Sequence, residues 1–216
     1  MVAAALTILF RVQLAMFKQV FHVHKIFNSH SSHVWPEANP NAASVHYHQQ
    51  RSAVNVWAGI VHDFLIRPCL LPRRLRAHIY WVFVVEKLPE MLGENPLALR
   101  RNMWFQHDGA ADYFARQVRE HLTATYNDRW IGRGWSVAWP PMSPDLTPVG
   151  FFLWGHIKFL IFTSLVDSEG DLIARIVKAA ATSGSKLGIF ECTRRSLLCR
   201  CWLCIEIGGR TFEHLL

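Results

Sequence analysis

Apolar and polar positions change period along this chain of 216 residues. Up to about Ile66 the apolar runs are short and rich in branched and aromatic side chains, the make-up of strands. "TILFRVQLAMFKQVF" (7–21) is one such run. "SAVNVWAGIVH" (52–62) is another, with Gly59 near its end, and "SHVW" (32–35) stands before the turn-rich "PEANPNAAS". "LPRRLRAHIYWVFVVEKLPEML" then has helical length and period, with a break predicted at Pro89. "NMWFQHD" (102–108) predicts a short buried strand that ends on a polar residue. In "ADYFARQVREHLTATY" (111–126), Phe114, Val118, Leu122 and Tyr126 fall on one stripe, which predicts an amphipathic helix. "WSVAWPP" (135–141) predicts a strand stopped by prolines. One helix follows Pro148, a second starts near Ser168 in "SEGDLIARIVKAAA", and the segment from Leu187 is helical too. Strands first, then strand and helix in alternation, predict a mixed α/β domain.

The helix after Pro148 has an odd start. Thr147 is a natural N-cap and Pro148 suits the first helical position. A capping box would place an acid three residues after the cap, and this chain has Gly150 there. Glycine is a poor helix former and offers nothing to the orphan amides.

The length allows one domain, or one with a small appendage. Half of the residues are hydrophobic, enough for a sizeable core, and the formal net charge is +7. That excess favours a polyanionic partner, nucleic acid before membrane, over a merely basic globular protein. The arginines form no single block. Arg67, Arg73, Arg74 and Arg76 make one group and Arg100 and Arg101 another, followed by Arg116, Arg119, Arg129 and Arg133, then Arg194, Arg195 and Arg200. Such spacing suits a groove better than a tail. The five cysteines, four of them crowded near the C-terminus, do not make a secreted disulfide framework, and a reducing compartment fits better. The apolar start lacks a basic leader, is interrupted by Arg11 and is too short for a membrane span, so it reads as buried strand.

Four groups of residues bear chemistry. Asp108 closes an apolar strand and precedes a glycine, a place that suits either a ligand at a strand's carboxyl end or a turn aspartate capping the next helix. His22 with His24, His30 with His33, and His46 with His48 have spacings a metal accepts, but no acid or cysteine lies among them, and ordinary surface or core histidines are the simpler reading. Cys201 and Cys204 form a CxxC pair with no second pair at a distance, so the C-terminal cysteines read as buried free thiols. Trp104, Trp130, Trp135, Trp139 and Trp154 fall in one half of the chain, where most belong to a core and one or two suit base stacking.

Three stretches carry more together than any does alone: "FNSHSSHVW" with "SAVNVWAGI", "MWFQHDGAADYFARQVREHL", and "RWIGRGWSVAWPPMSPDLTPVGFFLWGHIK". They resemble the catalytic domain of mariner/Tc-class transposases, in the DDE superfamily, and the likeness continues through "DLIARIVKAAA" and "CIEIGGRTFEHLL". The resemblance implies a ribonuclease H-like fold over residues 1–216, a five-stranded mixed sheet flanked by helices with a helical segment from about 165. It implies DNA as partner, a nuclear location, a possible pairing of two copies, and no membrane. The family's helix-turn-helix region has no expected counterpart, because the chain begins at or near the first strand. The implied chemistry is phosphodiester hydrolysis and strand transfer with three carboxylates holding two Mg2+ or Mn2+ ions.

Carried over position by position, the second acid is Asp108, the retained metal ligand. The third lies between "SPDLTPV" and "FFLWG", where this chain has Gly150. The first falls at Phe17 and Lys18, and no Asp or Glu occurs before Glu37. Tyr113 stands where the family has histidine, Ala111 where it has the loop proline, and Trp135 where glycine is common. The implied protein is a degenerate transposase domain that keeps weak, non-specific nucleic-acid binding through Arg116, Arg119, Arg129 and Arg133 and has lost cleavage. The alternatives are an active nuclease with a substitute ligand such as Asp145 or an early histidine, and a non-enzymatic module that binds DNA or protein.

Overall fold

In the computed structural model, residues 13–23, 53–107, 114–133, 146–210 and 212–216 are described. The centre is β2 (Ala53–Val61), whose alternation sorts two cores. Val54, Val56, Ala58 and Ile60 face one layer, while Trp57 and Val61 face the other. A strand buried on both sides needs helices on both sides. β1 (Gln13–His22) runs antiparallel to β2, and β3 (Phe64–Leu71) runs antiparallel to β2 on its other side. β4 (Trp104–Gln106) and β5 (Trp130–Ile131) extend the sheet in parallel with β1. The order is β3-β2-β1-β4-β5. This is the mixed five-stranded sheet that the resemblance implies.

One helical layer holds α1 (Ala77–Val82), a π-helical turn (Phe83–Lys87), α2 (Leu88–Leu92) and α4 (Arg116–Tyr126), with α3 (Leu97–Asn102) leading into β4. The helix expected to break at Pro89 does not break. Leu88 N–H bonds back to Phe83 O, a wide turn directly before the proline. Pro89 has no N–H to give, and the widened turn takes it into the first turn of α2 without interrupting the helical path. In the same layer Phe83 stacks edge-on to Trp57, with ring centroids 4.9 Å apart.

The opposite layer holds a π-helical turn (Val149–Leu153) leading into α5 (Trp154–Ile161), then α6 (Glu169–Ser185) and α7 (Ile189–Glu206). Trp154 meets Phe21 of β1 edge-on, with centroids at 5.7 Å. Val149, Leu153, Ile157 and Ile161 are wholly buried against β1 and β2. α7 starts at Gly188, whose φ of 75° lies in the left-handed region that glycine adopts without strain.

Three further elements differ from the pattern read along the chain. β3 is a separate strand running past Ile66, where the strand-like pattern ends, and Pro68 lies within it. It is an edge strand, and the register slips between Trp57 and Gly59, so that β3 carries one extra residue opposite Ala58. Edges and bulges are where a strand tolerates proline. The fifth strand is Trp130–Ile131, which the pattern did not signal, while the strand expected over 135–141 lies outside the described residues, as does "SHVW". Phe114 is not on the helical stripe: α4 begins at Arg116, and Val118, Leu122 and Tyr126 alone supply its buried face.

Candidate functional site

β1, β4 and β5 are parallel, so their carboxyl ends lie on one side of the sheet. Ligand sites in open α/β sheets favour that side. His107, the residue after β4, is buried among the rings of Tyr80, Phe105 and Trp130, at centroid distances of 5.8, 6.1 and 6.2 Å. Its amide donates to Ile131 O at 2.8 Å. Burial pulls its pKa down to about 4, so the ring is neutral at physiological pH. Gly132 ends the neighbouring strand against it. A Cβ there would come within 2.9 Å of the Trp130 ring and 3.1 Å of the His107 Cβ, so only glycine fits this approach. Asp108 follows His107 in sequence and lies outside the described residues, as do Asp145 and Tyr113.

The expected helix cap is present. Thr147 is fully buried, its Oγ1 accepts from Gly150 N–H at 3.2 Å, and its carbonyl accepts from Phe151 N–H at 3.0 Å. The helix opens with a π turn, in which Trp154 N–H reaches back to Val149 O. On β1, position 17 is registered against Ala58, and Ala58 belongs to the same buried cluster as Val149 and Leu153. Position 18 is registered against Trp57, in the cluster on the opposite face. The fold therefore puts position 17 and the start of the Gly150 helix on one face of the sheet.

The four candidate arginines divide. Arg116 pairs with Glu120 at 2.6 Å on the surface of α4, and that bond holds its pKa above the usual arginine value. Arg129 is a brace: it donates to Arg101 O and, at 3.5 Å, to Tyr126 O, tying the end of α4 to the end of α3. Arg119 and Arg133 both lie over the ring of Phe114, with Cζ at 4.5 and 4.8 Å from its centroid. Arg200, from α7, lies over Phe151 at 4.3 Å, beside Gly150 in sequence. Neither aromatic–arginine contact was readable from spacing alone; Phe114 looked like a core residue because it continued a helical stripe.

No protein-family model and no curated protein sequence matches the chain. Solved structures do. The Mos1 mariner paired-end complex with Mn superposes with a TM-score of 0.71 at 18% identity, over 93% of this chain and 56% of that one. The Mos1 transposase catalytic domain with Raltegravir and Mg gives 0.69 at 18% identity, over 98% and 93%. A pre-cleavage Mos1 transpososome gives 0.72 at 17% identity, over 98% and 61%. The chain has the fold of a mariner transposase catalytic domain. It spans 56% of the transposase in the paired-end complexes and nearly all of the isolated catalytic domain.

On this transposase fold the other candidate groups are ordinary. His22 is exposed, and its five companions lie outside the described residues. Among the described residues no three His, Cys, Asp or Glu side chains cluster. Cys201 and Cys204 are buried against Ile131 and Phe212, and burial lifts the Cys201 thiol to about 12, but Cys192 and Cys199 are exposed, against the expectation of four buried thiols. Their side of α7 faces solvent, because its buried stripe runs through Phe190, Thr193, Leu197, Cys201 and Cys204. Trp130 and Trp154 are core residues, and Trp135 and Trp139 lie outside the described residues. No described helix is long and apolar enough to cross a membrane.

Proposed function

We propose that this chain is a transposase-derived catalytic domain that keeps nucleic-acid binding and has lost DNA cleavage and strand transfer. Gly150 carries the reading: the helix start is built and capped, and its third residue offers no carboxylate. The Mos1 structures include complexes with a transposon end and with Mn or Mg. Here the positions that match the acids are Phe17, Lys18 and Gly150, with Asp108 as the one retained carboxylate. Mg2+ and Mn2+ want several oxygen ligands each, and phenyl, ammonium and hydrogen do not supply them. This donor set does not fit two ions, and no metal-dependent step is assigned to it. DNA is the proposed partner, in the nucleus, with pairing of two copies by analogy to the paired-end complexes, and residues 1–216 are taken as one catalytic domain.

Incubating the protein with supercoiled plasmid and Mn2+ tests the loss. No nicking above background is expected, with or without Asp108→Ala. Metal-dependent nicking abolished by that substitution overturns the proposal and favours a substitute ligand. The double variant Phe17→Asp with Gly150→Asp is expected to gain Mn2+ binding by calorimetry; a silent titration means that the positions have been matched wrongly.

A further inference from the structure

Two guanidinium groups share one benzene ring near the carboxyl end of the sheet. Arg119 reaches Phe114 from the first turn of α4 and Arg133 from just beyond β5. Like charges held this close repel, and each exposed cation–π contact returns only about 0.5–1 kcal/mol. Other arginines relieve their charge with an acid: Arg67 with Glu94, Arg116 with Glu120, Arg175 with Asp171, Arg195 with Glu191. Arg119 and Arg133 have no such acid among the described residues. Arg119 Nε is buried and has no hydrogen-bond acceptor. The first turn of α4 holds no acid either, so its positive end adds to the same field. An oxyanion answers each of these points, and a guanidinium fork binds phosphate oxygens better than an ammonium does.

We propose that Phe114, Arg119 and Arg133 form a phosphate clamp that takes a phosphodiester of a nucleic-acid backbone without a divalent metal. It rests on the reading of this chain as a nucleic-acid binder and assigns that binding to two of the four candidate arginines. Phe114 holds the pair in place and makes no contact with the bases. Binding is then insensitive to sequence and strongly sensitive to salt.

Fluorescence anisotropy with a labelled oligothymidylate, in EDTA, tests the clamp on the full chain. The variant R119Q/R133Q is expected to bind about tenfold more weakly at low salt, with the salt slope reduced by about 0.7 for one single-strand phosphate. The control R67Q/R195Q removes the same charge from acid-paired arginines and is expected to bind like wild type. Arg133→Gln alone, at an exposed position, is expected to lower the slope with the fold intact by circular dichroism, and R119K/R133K to restore little of the affinity. Equal weakening in both double variants, or none in R119Q/R133Q, overturns the clamp and leaves the wider binding reading standing. A wild-type chain that binds no oligonucleotide overturns both.

Discussion

Two helices on one face of the sheet begin with the same hydroxyl cap and differ three residues later. Thr147 accepts from Gly150 N–H at 3.2 Å, and Ser168 accepts from Asp171 N–H at 3.1 Å. At the second start the acid is structural. Asp171 accepts from Asp167 N–H at 3.2 Å and from Arg175 Nε at 2.9 Å. Arg175 goes on to the carbonyls of Ile161, Ser164 and Leu165, at 3.0, 3.0 and 2.6 Å, and so fixes the loop between α5 and α6. At the first start Gly150 offers no acid, and Val149 and Leu153 bury the helix against the sheet. A carboxylate at this third position is therefore dispensable for forming the helix.

Removing the hub of the acid-bearing start has the largest expected effect. Arg175→Ala strands three carbonyls and is expected to cost about 2–3 kcal/mol in urea unfolding. A cost near zero would mean that the Asp171 network does not hold that loop. The caps come next. Thr147→Ala is expected to cost about 1–2 kcal/mol, because the hydroxyl is buried, and Ser168→Ala about 0.5–1 kcal/mol, because water can replace it. The reverse order would show that burial does not set the worth of these caps. Gly150→Asp has the smallest expected effect, a gain of up to about 1 kcal/mol at neutral pH from helix propensity and the favourable end charge. The two starts should also part company in acid. Hydrogen bonding to Arg175 holds the Asp171 carboxyl below its usual range. Its contribution is complete above the unfolded carboxyl's pKa and is lost as pH falls through the lower folded value. Gly150 places no titrating group at the third position of the other start, so amide exchange should show α6 fraying first on acidification while α5 holds.

Most of the architecture was legible because apolar pattern carries it: β2 and α6 are buried where the sequence places their apolar residues, and α4 is so from Val118 onward. The misses share a cause. Pro89 announces a break that a widened turn absorbs, Pro68 lies in a strand beside an edge bulge, and neither device has a period. β5 is two residues long, held by Phe105 N–H to Arg129 O at 2.9 Å and by Trp130 Nε1 to Thr123 Oγ1 at 3.3 Å, which is too little sequence to signal a strand. At the site, Thr147, Pro148 and Gly150 spoke for themselves through capping rules. The arginines did not, because charge along a chain cannot distinguish Arg129, which braces backbone, from Arg119, which lies over an aromatic ring.

The extra residue at Pro68 has a consequence for how this domain behaves in a crowd. An open sheet has two margins, and each is a template on which a foreign strand can grow. The β5 margin lies under α7, through Ile131 against Leu197 and Cys201. Among the described residues no strand pairs with the outer side of β3, but Pro68 donates no hydrogen bond there and the bulge throws the ladder out of step. A domain with an open sheet has to avoid fibrillar self-association, and one proline on the outermost strand guards that margin.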